Sequence, residues 1–287
     1  MVEIQRVGVV GCGLMGSGIA EAAARAGLDV RVVDLDRATL EMGRTRVSTS
    51  ISRAEQGGKL TGAEAQAALA RIEFSADIGT LGDRQLVIEA VVESEPEKVS
   101  VFESLDKVVE DPEAILASNT SSIPIMKLAM ATSRPSQVIG IHFFNPVPVL
   151  PLVELVTSLL TSDQTAAVAQ RFATEQLGKQ VIRSQDRAGF IVNALLIPYL
   201  LSAIRMLESG FATAEDIDLG MVKGCAHPMG PLHLADLIGL DTTMAVANSL
   251  YEEFKEPLYA PPPLLARMVE AGLLGRKSGR GFYNYKD

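Results

Sequence analysis

Three histidines occur among the 287 residues of this chain, and one of them stands where proton transfer is useful. His142 ends the apolar run 138–142, and Glu154 lies inside the apolar run 152–156. Histidine most often removes a proton near neutral pH, and a carboxylate in apolar surroundings needs a partner. The two residues predict a His/Glu dyad in which the carboxylate fixes the imidazole tautomer. A buried structural histidine is the alternative from spacing alone.

A second group of residues has the spacing of a nucleotide-binding turn. Gly11, Gly13 and Gly16 fit the pattern G-x-G-x-x-G, with Leu14 and Met15 between the last two glycines. The first glycine permits a tight turn, the second lets a pyrophosphate approach the backbone, and the third lets helix and strand pack closely. Glycine turns also occur for packing alone, so the context has to support the pattern.

Asp34 supplies that context. It ends the next apolar run, 18 residues after Gly16, where an acidic side chain accepts hydrogen bonds from an adenosine ribose and repels a 2′-phosphate. NAD is therefore favoured over NADP, although Arg37 nearby leaves some tolerance for NADP. FAD enzymes share this fold, and a plain turn residue is the alternative for Asp34.

These residues must be positioned by a sheet. Short apolar runs alternate with helical patterns, which predicts a Rossmann-type α/β fold with a mainly parallel sheet. Glycines at 57–58 and 62 divide residues 38–71 into two helices, an inserted helical hairpin. The predicted strands are 7–10, 30–33, 86–92, 115–118, 138–142, 152–156 and 181–182.

The pattern changes after residue 187. Strand signals nearly vanish, and helical patterns cover 190–209, 214–222 and 239–256, followed by prolines at 261–263. We therefore expect two domains: 1–187 binds the nucleotide, and 188–287 is an all-α domain.

Composition excludes several classes of protein. Hydrophobic residues make up 47% of the chain, no apolar run is long enough to span a bilayer, and the net charge is −9, which disfavours nucleic acid as a partner. Cys12 and Cys225 are isolated from each other and from histidines, so neither a disulfide framework nor a structural zinc is expected. Residues 1–6 do not resemble a secretion signal, and a cytoplasmic location is expected.

Six motifs in order resemble the short-chain 3-hydroxyacyl-CoA dehydrogenase family, closest to its stand-alone bacterial members that act on 3-hydroxybutyryl-CoA. The resemblance covers nearly the whole chain. The motifs are GCGLMGSGIA at 11–20, ASNTSS at 117–122, HFFNPVP at 142–148, GFIVN at 189–193, PMGP at 228–231 and KSGRGFY at 277–283.

The resemblance implies a reaction and the residues that perform it. An NAD-dependent enzyme would interconvert (S)-3-hydroxybutyryl-CoA and acetoacetyl-CoA without a metal, in fatty-acid or butanoate metabolism. His142 would be the general base, Glu154 its orienting carboxylate, and Ser121 and Asn193 would bind the substrate. The alternatives are a dehydrogenase of a free 3-hydroxy acid or sugar acid, of the gulonate or carnitine type, and a non-catalytic NAD-binding module.

Further cofactor contacts are implied by the same resemblance. Glu93, Lys98, Asn145 and Lys277 would contact NAD, together with the glycine turn and Asp34. The alternatives are a capped helix start around Glu93 and Lys98, and a solvated cation at Lys277.

The resemblance specifies the coenzyme A contacts and the oligomeric state less closely than the other features. The family's inserted hairpin suggests Ser50, Arg53 and Lys59 as substrate-binding residues, and ordinary helix-surface polarity explains them equally well. Pro151 departs from the family, where a lysine is frequent. The apolar run 190–201 predicts a homodimer through the helical domain, or else a buried core helix.

Overall fold

The chain divides into two compact units, Met1–Arg187 and Ala188–Asp287. The structure, a computed structural model, describes residues 3–285, so Met1 and Val2 of the N-terminal run lie outside the described residues. None of the described helices is both long enough and apolar enough to cross a membrane.

The first unit is built on an eight-stranded sheet with the order β3-β2-β1-β4-β5-β6-β7-β8. All neighbouring strands are parallel except β6 and β7, which are antiparallel. The strand order reverses beside β1, which is where open α/β sheets bind ligands at the carboxyl ends of their strands. The strands are β1 Arg6–Val10, β2 Asp29–Val33, β3 Ile72–Ser75, β4 Leu86–Glu89, β5 Ile115–Ser118, β6 Val138–Phe143, β7 Leu152–Thr157 and β8 Gln180–Gln185.

Helices connect the parallel strands. Their bounds are α1 Leu14–Arg25, α2 Arg37–Gln56, α3 Gly62–Ala70, α4 Glu95–Val108, α5 Ile125–Met130 and α6 Asp163–Arg171, the last continued by a π-helical turn at 172–176. Helices α2 and α3 form the predicted hairpin. Gly57 caps the end of α2, and Thr61 begins α3 in a capping box with Glu64.

One core cluster of the first unit lies where α1 and α2 cover the sheet. Ala20, Ala23 and Ala24 of α1 are fully buried, and these small side chains let the helix approach the apolar strands and α2. Strand β3 follows α3 and is absent from the sequence prediction. Its four residues form an edge strand that is only partly buried, so its apolar pattern is weak.

The second unit contains helices with a core of its own, centred on Leu200, Leu201, Ile204, Leu232 and Leu250. Helices α9 and α11 are not among the predicted helices, and each begins at a proline. Proline is favoured in the first helical turn, where its missing N–H costs no hydrogen bond. The helices are α7 Val192–Glu208, α8 Ala214–Gly224, α9 Pro231–Ile238, α10 Leu240–Phe254 and α11 Pro263–Glu270.

The predicted fold class is confirmed. A mostly parallel Rossmann-type sheet with an inserted helical hairpin is followed by an all-α unit.

Candidate active site

His142 and Glu154 form a hydrogen-bonded pair on neighbouring strands. They are directly opposite each other in the antiparallel register of β6 and β7, which places both side chains on the same face of the sheet. Nδ1 of His142 lies 2.7 Å from Oε2 of Glu154. The carboxylate is fully buried and the imidazole is 6% exposed. Nδ1 donates to the carboxylate in this arrangement, so Nε2 is the nitrogen that can exchange a proton with a ligand.

The glycine turn has the three properties that a dinucleotide requires. Gly11 has φ +97°, and a Cβ at Gly16 would lie 1.9 Å from the carbonyl oxygen of Gly11. A Cβ at Gly13 would meet no atom within 4 Å, so open space faces the backbone there. Gly13 also begins α1 without any side-chain cap, which leaves the helix N-terminus available to a phosphate. The described residues of this turn therefore fit a bound dinucleotide.

Asp34 lies at the carboxyl end of β2 and is partly buried. Its Oδ2 accepts a hydrogen bond of 2.8 Å from the Cys12 backbone N–H, and its Oδ1 accepts one of 3.1 Å from the Asp36 backbone N–H. The carboxylate therefore holds the glycine turn in place. A carboxylate oxygen has two lone pairs, so these bonds leave acceptor capacity for a ribose hydroxyl.

Glu93 accepts several hydrogen bonds from the loop that follows β5. Its Oε1 accepts hydrogen bonds from Thr120 Oγ1 at 2.6 Å, from the Ser121 backbone N–H at 2.9 Å and from Ser122 Oγ at 2.8 Å. The Ser121 hydroxyl lies 3.3 Å from the same oxygen. The predicted Ser121 and Glu93 are therefore in direct contact.

Lys98 lies behind Glu93 and is almost completely buried, with 1% of its side chain exposed. Its Nζ is 2.6 Å from Oε1 of Glu89 and 3.3 Å from Oε2 of Glu93. Ser118 Oγ donates to the other oxygen of Glu89 at 2.6 Å. Lys98 thus belongs to an ion-pair network beneath the loop and is not a solvated residue of a helix start.

Asn145 lies in the loop between β6 and β7, and it lines a cavity of about 530 Å³ between this loop and helices α1 and α2. Ser50 and Arg53 of α2 line the same cavity, whereas Lys59 does not. The structure also places Arg46 there, with one guanidinium nitrogen 3.1 Å from the Cys12 carbonyl oxygen.

Two predicted site residues belong to the helical unit. Asn193 is the second residue of α7 and is partly buried. Lys277 lies in a short 3₁₀ turn, and its ammonium lies 2.5 Å from the carboxylate of Asp241. This ion pair holds Lys277 within its own unit in the described structure.

The helical unit contains a second histidine–carboxylate pair, and its contacts are those of a structural element. His233 Nδ1 lies 2.6 Å from Asp218 Oδ2, and the His233 ring stacks on Tyr283 at 3.7 Å between centroids. Asp218 also accepts the backbone N–H groups of Leu232 and His233, which begin α9. The pair therefore stabilises a helix start. In residues 3–285, no cluster of three His, Cys, Asp or Glu could hold a metal ion.

Comparison with known protein families decides the identity of this fold and site. A family model described as "3-hydroxyacyl-CoA dehydrogenase, NAD binding domain" matches residues 6–187. A second model, for the C-terminal domain of that dehydrogenase, matches residues 189–285. The chain belongs to the 3-hydroxyacyl-CoA dehydrogenase family. It is therefore an NAD-dependent oxidoreductase, and its first unit is the NAD-binding domain.

Individual relatives of this dehydrogenase agree with the family assignment. A 3-hydroxybutyryl-CoA dehydrogenase of Mycobacterium tuberculosis is 62% identical over 282 residues, which cover 98% of this chain and 99% of the relative. The crystal structure of M. tuberculosis FadB2 has a TM-score of 0.98 at 61% identity and covers 99% of this chain and 100% of that one. The crystal structure of an (S)-3-hydroxybutyryl-CoA dehydrogenase from Ralstonia eutropha has a TM-score of 0.93 at 48% identity. The match covers 99% of this chain and 100% of that one.

Several residues around the dehydrogenase site were missed by sequence reasoning. Glu89 stands alone among apolar residues in β4, the same signal that identified Glu154, and could have been found in this way. Asn119 accepts the Phe143 backbone N–H at 2.9 Å and ties the loop after β5 to the strand that carries His142. Lys179 donates to the carbonyl oxygens of Val147 and Leu150 at 2.6 and 2.7 Å and fixes the loop of Asn145. No local pattern signals these last two contacts.

Proposed function

We propose that this family member interconverts (S)-3-hydroxybutyryl-CoA and acetoacetyl-CoA with NAD as hydride carrier. The observation that carries the proposal is the buried His142–Glu154 pair at 2.7 Å, on the sheet whose glycine turn fits a dinucleotide. The 62% identical relative named for this reaction supports the choice of acyl group.

The proposed cofactor site is the carboxyl edge of the sheet around β1. Gly11, Gly13, Leu14, Met15 and Gly16 would hold the pyrophosphate, and NAD, when bound, supplies a carbon that accepts or returns a hydride.

Other side chains would hold the two ends of the cofactor. Asp34 would bind the adenosine ribose, and Glu93 and Asn145 the nicotinamide half. We propose that Lys98 acts through Glu93, because its ammonium is enclosed by two carboxylates. Lys277 remains a proposed cofactor contact from the second unit.

The proton in this reaction would move through the histidine. Nε2 of His142 accepts the proton of the 3-hydroxyl group as C3 is oxidised, and the negative charge of Glu154 stabilises the resulting imidazolium. The Ser121 hydroxyl would bind the substrate oxygen, and the Asn193 amide would orient the substrate and His142. In the reverse direction the imidazolium donates its proton, so a lower pH favours ketone reduction.

The coenzyme A moiety would lie along the α2 side of the cavity. Ser50 and Arg53 face that cavity together with Arg46, a second guanidinium suited to a phosphate. Lys59, exposed between α2 and α3, remains a candidate at the far end of the hairpin.

Initial rates of NADH oxidation test the substrate class. Acetoacetyl-CoA is expected to support turnover, while free acetoacetate at the same concentration is expected to support almost none. Comparable turnover of the free acid would favour the hydroxy-acid alternative, and binding of NADH without turnover of either ketone would favour the non-catalytic module. NADPH serves as the cofactor control, because the Asp34 carboxylate repels a 2′-phosphate.

We further propose that two copies of the chain pair through the helical unit and that the enzyme is cytoplasmic. Large apolar side chains on this unit are exposed, including Leu195 at 73% and Phe211 at 78%. A symmetric partner would cover such residues. Cys12 and Cys225 are both free thiols, which suits a reducing compartment.

A further inference from the structure

Glu89, Lys98 and Glu93 form a compact charged cluster, here called the Glu89 cluster. The Lys98 ammonium lies 2.6 Å from Glu89 and 3.3 Å from Glu93. The side chains of Glu89 and Lys98 are 0% and 1% exposed. Two carboxylates share one ammonium, so the cluster has a net charge of one negative.

Both carboxylates are surrounded by hydrogen-bond donors. One oxygen of Glu89 accepts from Ser118 Oγ, and the other accepts from Lys98 and from the Val91 backbone N–H at 2.7 Å. Burial alone would raise the pKa of Glu93. The Lys98 charge and the hydrogen bonds of the Thr120–Ser122 loop outweigh it, so that the pKa is lowered. Glu93 is therefore ionised at neutral pH.

Two further charges, at the start of α4 and in α5, leave this net charge unchanged. Glu95 and Lys127, at the start of α4 and in α5, pair with each other at 2.6 Å and are neutral together. Salt screens the charge of the cluster only weakly, because two of its three side chains are buried.

The strand order gives the cluster a position relative to the cofactor, a step that rests on the proposed function. Asp34 follows β2, on one side of the glycine turn, whereas Glu93 and Ser121 follow β4 and β5 on the other side. A dinucleotide with its adenosine at Asp34 must extend its nicotinamide half across β4 and β5 to reach His142. That residue lies on β6, three strand spacings or roughly 14 Å from β1.

We propose that the Glu89 cluster raises the affinity of the site for NAD⁺ relative to NADH, with Glu89 and Lys98 as positioning residues that set its charge. The nicotinamide ring carries a positive charge only in the oxidised cofactor. A net negative charge beside it attracts NAD⁺ by Coulomb's law and does not attract the neutral ring of NADH. Residues that only anchor the cofactor would increase the affinity for NAD⁺ and the affinity for NADH equally.

Two variants separate charge from structure. Glu89→Gln makes the cluster neutral, and the double variant Glu89→Gln with Lys98→Met restores one negative charge with different atoms. Dissociation constants for NAD⁺ and NADH are measured by calorimetry. The ratio of the NADH constant to the NAD⁺ constant is expected to fall about tenfold in Glu89→Gln. In the double variant it returns to within about twofold of the wild-type ratio.

Asp106→Asn is the matched control, because it removes one negative charge about 12 Å along α4 from Lys98 and should leave the ratio unchanged. An unchanged ratio in Glu89→Gln, or a double variant that does not return to the wild-type ratio, would overturn the proposal. A wild-type chain that binds neither form would instead contradict the proposed function, on which the inference rests.

Discussion

The carboxylate of Glu154 determines which nitrogen of His142 can exchange a proton. The carboxylate is fully buried and accepts the hydrogen bond of Nδ1. The imidazole tautomer with its proton on Nδ1 is therefore set before the substrate meets Nε2. The same carboxylate lowers the energy of the imidazolium that forms during alcohol oxidation. Its charge and its hydrogen bond both contribute to the reaction.

Substitution Glu154→Gln is expected to lower kcat about a hundredfold or more, because the amide removes the charge and permits the wrong tautomer. The dissociation constant for NADH should change little, since Glu154 holds no cofactor group. Steady-state kinetics and calorimetry measure the two quantities. His233→Gln, at the other histidine–carboxylate pair, is the control and should lower stability with little change in kcat.

At this scale, the sequence predicted residues that stand out against an apolar background or a glycine pattern. His142, Glu154 and Asp34 are the clearest examples, and the structure shows a partner for each. The ion pairs of Lys98 and Lys277 could not be predicted, because their partners come from β4 and from α10. Pairing between elements depends on tertiary packing, which local patterns do not show.

At the scale of elements, the turn from β1 to α1 gives two of its glycines different roles. The backbone of Gly13 faces open space, while Gly16 is packed against the carbonyl of Gly11. Cofactor binding and folding can therefore be separated within one turn.

The variants Gly13→Ala and Gly16→Ala should behave differently. Gly13→Ala is expected to keep the wild-type melting temperature and to weaken NAD binding by about tenfold or more, because the methyl group occupies the approach to the pyrophosphate. Gly16→Ala should also lower the melting temperature, since its Cβ would clash with backbone. Thermal unfolding with and without NAD measures both effects. Equal losses of stability in the two variants would contradict the different roles of Gly13 and Gly16.

Asp106 joins the last turn of α4 to the segment before β6. It accepts hydrogen bonds from the Ser133 backbone N–H at 2.8 Å and from Arg134 Nε at 3.0 Å. Burial by itself raises the pKa of Asp106, but the Ser133 bonds and the Arg134 guanidinium outweigh it and lower the pKa below its usual 3.8.

The folded chain therefore prefers the Asp106 carboxylate, and this stabilisation is present above about pH 3.8 and is lost as the pH falls toward the lower folded value. Asp106→Asn should lower the melting temperature by about 5 °C at neutral pH. The difference from the wild type should shrink as the pH is lowered toward 3. A difference that stays constant across this range would refute the assignment.

Most elements were predictable because buried parallel strands are continuous apolar runs. The exceptions have physical reasons. Strand β3 is a short, partly exposed edge strand, and α9 and α11 begin at prolines that also fit turns. Strand β7 was predicted as a strand, but its antiparallel direction, which brings Glu154 opposite His142, follows from a loop too short for a parallel crossover.

For the whole molecule, the expectation is a pair of chains. Sedimentation equilibrium should give twice the chain mass of 30.6 kDa. Leu195→Glu should shift the mass toward that of one chain, because a charge would be buried in the interface. Gln66→Glu, at an exposed position of α3 in the first unit, serves as a control for added charge outside the helical unit. A wild-type mass of 30.6 kDa would contradict the pairing.

We propose that His142 transfers the proton in this NAD-dependent 3-hydroxyacyl-CoA dehydrogenase. The most direct measurement is the initial rate of NADH oxidation with acetoacetyl-CoA for the wild type and for His142→Gln, together with the dissociation constant of NADH for both. We expect a rate at least about a hundredfold lower in the variant, with a dissociation constant for NADH within about twofold of the wild type. A variant that turns over at the wild-type rate would contradict the claim.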